Sequence, residues 1–259
     1  MSNSLSLSYE EYGDFQAPTL IILHGFFASA RNWRQVAKNL SEQYHVYIID
    51  LRNHGQSPHD AIMDYPAMAN DIKQFIVEHG IKEANILGHS MGGKVAMYLA
   101  LNTPDTINKL IVADISPTNY KHSFDVIISA LKSVPLADIN NRKQADELLS
   151  AAIPELSFRQ FLLQNLVLVD GHYQWRIDLN IFAASADNII AFPEVESLIP
   201  YTASVLFLAG ADSNYIRKED VYSLFPNAKI ECIQQAGHWL HAEQPDAFCV
   251  SVKQFLKIS

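Results

Sequence analysis

The sequence predicts an α/β chain in which a mostly parallel central sheet is flanked by helices and a helical cap is inserted partway along. Three observations carry this. Short apolar runs bounded by turn residues alternate with longer stretches of helical period, the pattern of strands buried on both faces and covered by crossover helices. That rhythm breaks once, between about Ser116 and Pro200, where helical patterns follow one another without a strong parallel-strand candidate. The 259 residues, 49% of them apolar, can bury one large core, and no Pro/Gly/Ser-rich linker, low-complexity tract or internal repeat divides them. The expected organisation is a core of residues 1–115 and 201–259 with a cap of residues 116–200.

Taken in order, Leu5–Tyr12 alternates apolar and polar residues and is expected to add antiparallel edge strands. The buried-strand candidates are Thr19–His24, His45–Asp50, Ala84–Gly88, Lys109–Asp114, Ser204–Ala209 and Lys229–Gln234. Tyr65–His79 places Tyr65, Met68, Ala69, Ile72, Phe75 and Ile76 on one face, with Pro66 at its start and Gly80 beyond its end, which predicts a surface helix packing inward. Inside the insertion, Val126–Leu131, Ala145–Ile153, Phe158–Leu163 and Leu179–Ala184 are helix candidates, and Asp170-Gly171 within Val167–Tyr173 signals a small hairpin. Pro245–Leu256, with Phe248, Val252, Phe255 and Leu256 at helical spacing, is expected to cover the final strand. With the edge strands counted, the cap follows the sixth strand.

A formal net charge of −9 without a clustered cationic face argues against nucleic-acid binding and against docking on an anionic membrane. The stretch Met1–Tyr9 lacks the basic start and apolar block of a signal peptide, and no later run approaches the length of a membrane span, so a cytoplasmic protein is expected, as a monomer or homodimer. Cys232 and Cys249 fall in a strand-like and a helix-like pattern and read as small buried thiols.

The chemistry concentrates in three motifs. Gly88-His89-Ser90-Met91-Gly92 fits G-x-S-x-G where an apolar run stops and a helical run begins, which puts Ser90 on a strained turn with its hydroxyl exposed at the carboxyl end of the sheet. His24-Gly25-Phe26-Phe27 directly follows the strand at Leu20–Leu23, and a backbone N–H of that turn, assigned to Phe26, can join the N–H of Met91 in holding an oxyanion. Gln235-Ala-Gly-His-Trp239 follows the last strand and brings His238 within reach of Ser90 as general base. His24, Phe27 and Trp239 are assigned to a substrate pocket, with His24 fixing its turn through hydrogen bonds rather than transferring protons. His238, His241 and Glu243 could also be read as a zinc site, but H-E-x-x-H is absent, and neither a metal nor another cofactor is expected. Lys94 is expected to point away from the elbow into solvent or an ion pair. Arg52 and His54 are expected to shape the loop after Asp50.

Through these motifs the chain resembles the α/β-hydrolase superfamily over essentially its whole length. More narrowly, Asp50–Pro58, Gly88–Lys94, Ala113–Pro117, Ala236–Ala242 and, in the cap, Asn165–Arg176 resemble the YbfF-type bacterial esterases and their mitochondrial abhydrolase-domain relatives. The resemblance implies the α/β-hydrolase fold and a cofactor-free serine hydrolase acting on short- or medium-chain acyl esters or thioesters. It also bears on the acid that must orient His238. In much of the superfamily that acid follows the penultimate strand in a G-x-x-D-like pattern, whereas Gly210-Ala-Asp-Ser213 has serine at that place and Asp212 one residue earlier. Asp114, at the end of the preceding strand, is the other candidate, and the closer relatives favour it. The same residues would serve a cofactor-free perhydrolase or a carbon–carbon hydrolase or lyase. A non-catalytic ligand-binding member of the fold would need the pocket but not Ser90 and His238.

Overall fold

The computed structural model describes residues 4–194 and 198–257. Residues 1–3 of the N-terminal stretch and 195–197 of the expected cap lie outside them. From the amino end the chain forms β1 (Tyr9–Tyr12), β2 (Thr19–Leu23), α1 (Arg34–Leu40), β3 (His45–Ile49), α2 (Tyr65–Glu78), β4 (Ala84–His89), α3 (Met91–Asn102) and β5 (Ile107–Ala113). An insert follows, with α4 (Asp125–Lys132), α5 (Arg142–Leu149), α6 (Leu156–Leu162), β6 (Leu166–Val169), β7 (His172–Trp175) and α7 (Leu179–Ile190). The chain then returns through β8 (Val205–Gly210), α8 (Lys218–Leu224), β9 (Lys229–Ile233), the short α9 (Leu240–Glu243) and α10 (Pro245–Leu256).

Among the described residues, seven strands make one sheet in the order β1-β3-β2-β4-β5-β8-β9, parallel except for β1. Strand alternation sorts its side chains onto two faces. Leu20, Ile22, Val46, Ile48, Leu87, Ile111, Leu206 and Leu208 pack beneath α1 and α10, against Val36, Leu40, Phe248 and Val252. Ile21, Leu23, Ile49, Ile86, Leu110, Val112 and Phe207 face α2 and α3 and share one continuous apolar cluster with Ile128, Leu131 and Phe182 of the insert. The insert therefore has no separate core, and its position is coupled to that of the sheet.

Local signals act as expected at several ends. The Asp64 carboxylate accepts the Ala67 N–H at 2.8 Å to cap α2. Asp170 and Gly171 both take positive φ, 48° and 82°, as the two central residues of a hairpin turn between β6 and β7. Three expectations need correction. Of Leu5–Tyr12, only Tyr9–Tyr12 pairs into the sheet, so the insert follows the fifth strand, not the sixth. α7 runs to Ile190 because Ala186, Ile189 and Ile190 continue its buried stripe past Ala184. Cys232 is exposed, because β9 is the edge of the sheet and presents that face to solvent; Cys249 is buried.

Candidate active site

The site is built at the turn between β4 and α3. Ser90 sits at φ 52°, ψ −118°, a conformation a non-glycine residue holds only where its surroundings over-determine it. Two glycines make the room. A Cβ on Gly88 would lie 2.2 Å from the Gly92 carbonyl oxygen, and one on Gly92 would lie 2.3 Å from that of Leu23. The Ser90 N–H donates to Ala113 O at 3.0 Å, and Ser90 O accepts the Lys94 N–H at 3.1 Å, so the same residue closes the sheet edge and opens the helix. Met91 is the first residue of α3, and its N–H is among those a helix leaves without an intrahelical partner, at the positive end of the dipole.

Three loops converge on this turn. His238, after β9, places Nε2 3.1 Å from Ser90 Oγ and Nδ1 2.8 Å from Asp114 Oδ2. With Nδ1 donating to the carboxylate, Nε2 is left to accept the serine proton. The imidazole is steadied by the Tyr215 ring stacked at 4.3 Å, and the His238 carbonyl accepts from His89 Nε2 at 2.7 Å. Asp114, at φ 50° past the end of β5, is fully buried, and its Oδ1 also accepts the Gly210 N–H at 3.1 Å.

Asp212, the rival acid, is exposed, and its backbone N–H is tied to Ala236 O at 2.9 Å. The one-residue shift has a structural complement. Ser213, standing where the resemblance would place an aspartate, donates its hydroxyl to Asp114 Oδ2 at 2.5 Å. Three donors thus hold one carboxylate in line with His238. Removing one of them with Ser213→Ala should lower kcat about tenfold with KM unchanged, as expected when only the alignment of His238 is loosened; steady-state kinetics on a single ester measures both.

Over Ser90 lies a cavity of about 1070 Å³ lined by Phe26, Phe27, Met91 and Trp239 from the core and by Phe124, Ile127, Phe158, Phe161, Ile189 and Ile190 from the insert. Phe26 stacks on Phe182 at 4.6 Å, and Trp239 meets Phe158 at 5.7 Å. The turn carrying Phe26 and Phe27 is bound to the insert, because Asn165 Nδ2 donates to Phe27 O at 2.8 Å. His24 is not part of the lining. Its buried ring donates from Nδ1 to Gly25 O at 2.8 Å and accepts the Leu51 N–H on Nε2 at 3.0 Å, so both nitrogens are engaged behind the turn. Arg52 is buried in an ion pair with Asp71, with Nε to Oδ2 at 2.7 Å and Nη2 to Oδ1 at 2.8 Å, and His54 donates to Arg52 O, so both hold the loop after β3. Lys94 departs from expectation: it is buried, and it donates to three backbone carbonyls rather than to solvent or an acid. Burial pushes its amine down to about 7.

Glu243 accepts the Gly237 N–H at 2.7 Å, and His241 stacks on Trp33 at 4.1 Å. Among the described residues, no group of three His, Cys, Asp or Glu side chains is placed to hold a metal ion. Burial pushes the His241 imidazole down to about 3, with His238 a smaller influence in the same direction. The unfolded chain takes up that proton near 6.5, whereas the folded chain refuses it until about 3, so stability falls as pH drops through this window. His241 alone should cost about 2 kcal/mol between pH 7 and pH 5. Urea midpoints at the two pH values should show the loss, and His241→Phe, which keeps the stack on Trp33, should reduce it.

The alternating sheet, the strained serine on its elbow and the facing histidine loop are the constellation of an α/β hydrolase. A family model for the alpha/beta hydrolase fold matches residues 18–245, and the chain belongs to that family. The sn-1-specific diacylglycerol lipase ABHD11 of Mus musculus is 39% identical over 264 residues, covering 97% of this chain and 85% of its own. Esterase YbfF of Escherichia coli is 34% identical over 241 residues, covering 92% of each. A solved marine microorganism esterase is 40% identical and superposes with a TM-score of 0.93 over 98% of this chain and all of its own. Among the described residues, no helix is long and apolar enough to cross a membrane.

Proposed function

We propose that this α/β hydrolase is a serine carboxylic-ester hydrolase acting on short- to medium-chain acyl esters, with acyl thioesters also within its range. The observation that carries the reading is the unbroken line Ser90 Oγ, His238 Nε2, His238 Nδ1, Asp114 Oδ2 at the floor of an apolar cavity. Ser90 loses its proton to His238 Nε2 as Oγ bonds to the ester carbonyl carbon. The carbonyl oxygen takes up the negative charge beside the N–H groups of Phe26 and Met91. The intermediate collapses by breaking the bond to the alcohol oxygen, which leaves with the proton from His238. Water then repeats the sequence on the acyl-enzyme, with His238 again taking and returning one proton, to release the acid and restore Ser90.

Residues 116–200 serve in this reading as a cap over a core of residues 1–115 and 201–259. The cap and the core elbow together line a space slightly above the usual range for drug-sized ligands, which suits an acyl chain of moderate length with its leaving group. The names of the relatives, two of them an esterase and a diacylglycerol lipase, agree with an ester substrate. The test is hydrolysis of p-nitrophenyl esters from acetate to laurate. Turnover with an optimum among the short and medium chains is expected, and a folded enzyme that hydrolyses none of the series would overturn the proposal.

A further inference from the structure

Lys94 lies one turn along α3 from Ser90, and its ammonium donates to Ile190 O at 2.7 Å, Ala191 O at 2.8 Å and Thr118 O at 3.0 Å. The positions of these carbonyls matter. Thr118 belongs to the segment that leads from β5 into the insert, and Ile190 and Ala191 form the end of α7, where the chain leaves the insert's last helix. A helix ends with carbonyls that lack intrahelical partners, and α7 has no left-handed glycine cap to satisfy them: Ala191 is extended, at φ −70° and ψ 170°. Two core side chains and one backbone N–H of the insert do so instead. Tyr65 Oη donates to Ile189 O at 2.6 Å, Lys94 bonds Ile190 O and Ala191 O, and the Tyr120 N–H donates to Ile190 O at 3.2 Å.

The cation thus sits at the negative end of α7, with its Nζ 4.8 Å from the Tyr120 ring centroid and 5.7 Å from that of Tyr65. The two connections also touch each other, because the Phe192 N–H donates to Asn119 Oδ1 at 2.7 Å. In the protonated form all three ammonium protons are engaged, which leaves none for Ser90 or for a substrate anion. Lys94, Tyr120, Ile189 and Ile190 all border the cavity over Ser90.

We propose that Lys94 is a positioning residue that pins both connections of the cap to the helix of the nucleophile, and in doing so sets the depth of the acyl pocket and the acyl-chain preference. The second half of this proposal rests on the ester-hydrolase reading; the first half does not. An interaction that holds a roof at a fixed height should matter most to the substrates that reach it. An acetyl group ends near Ser90, whereas an octanoyl chain fills more of the cavity, whose lining includes Ile189 and Ile190.

The test compares wild type with Lys94→Met, which keeps the length and apolar stem but removes every donor, and with Val252→Ala, a core truncation on the opposite face of the sheet. For Lys94→Met, kcat/KM on p-nitrophenyl octanoate relative to acetate should fall about tenfold, carried by KM. Amide exchange should quicken in residues 116–122 and 189–194 while the peptides of β4 and β5 keep their protection. Val252→Ala should lower the melting temperature and leave the chain-length ratio as in wild type. A ratio unchanged in Lys94→Met, or shifted equally in both variants, would overturn the specificity role. Unchanged exchange in the two connecting segments would overturn the anchoring role. If Lys94→Met does not fold, Lys94→Gln, with an amide N–H₂ for two of the three carbonyls, should show the same changes at about threefold. Should wild type hydrolyse neither ester, the hydrolase reading fails on its own, and the exchange measurement still decides whether Lys94 holds the cap.

Discussion

Replacing Ser90 with alanine should reduce kcat on p-nitrophenyl esters by about 10⁴-fold or more, leaving only what the N–H groups proposed to hold the oxyanion and the pocket contribute. The substitution keeps a Cβ at the same strained φ and removes one oxygen, whose hydrogen bond to His238 Nε2 is 3.1 Å long. The fold should therefore survive, with a circular dichroism spectrum and melting temperature close to those of wild type. A serine present only to satisfy the turn would show the reverse pattern, a change in stability with turnover retained.

Asp114→Asn should come near the same loss, about 10⁴-fold in kcat, while Asp212→Asn should stay within about threefold of wild type. Asparagine matches the shape of Asp114 but presents either an oxygen or an N–H₂ group to His238 Nδ1. The arrangement requires both carboxylate oxygens to accept, Oδ1 from Gly210 N–H and Oδ2 from both His238 and the Ser213 hydroxyl. An amide turned to satisfy Gly210 meets the histidine and the serine with its N–H₂ group, which disfavours the tautomer that leaves Nε2 free to accept. Asp212 is exposed, and its side chain can lose its charge without uncovering a partner. Kinetics on the two variants beside wild type separates the candidates; a crippled Asp212→Asn with an active Asp114→Asn would move the acid to the loop after β8.

The parallel core was legible because its strands are apolar on both faces and closed by turn residues, so Leu20–Leu23, Val46–Ile49 and Leu110–Ala113 could be little else. The elbow was legible because sterics there demand glycine on both sides of Ser90, and that demand leaves a local pattern in the chain. Helices α1 and α8 escaped notice because each carries only three apolar residues among its seven, too few to establish a period, whereas α6, of the same length, carries four. The arrangement around Asp114 could be read only in part: a serine at position 213 shows that the usual acid is missing, but its bond to a residue 99 positions earlier depends on β5 and β8 lying side by side. Lys94 was misjudged for the same reason. Its partners are main-chain carbonyls from two distant segments, and carbonyls carry no residue identity by which a sequence pattern could announce them.

Covalent capture tests most directly whether Ser90 is a nucleophile activated by His238. Wild type and Ser90→Ala would each be treated with an alkyl fluorophosphonate, followed by intact-mass measurement and peptide mapping. A single adduct is expected on wild type, located on the peptide that carries Ser90, and none on Ser90→Ala. Folded wild type that takes up no phosphonate, or an adduct mapped to another residue, would contradict it.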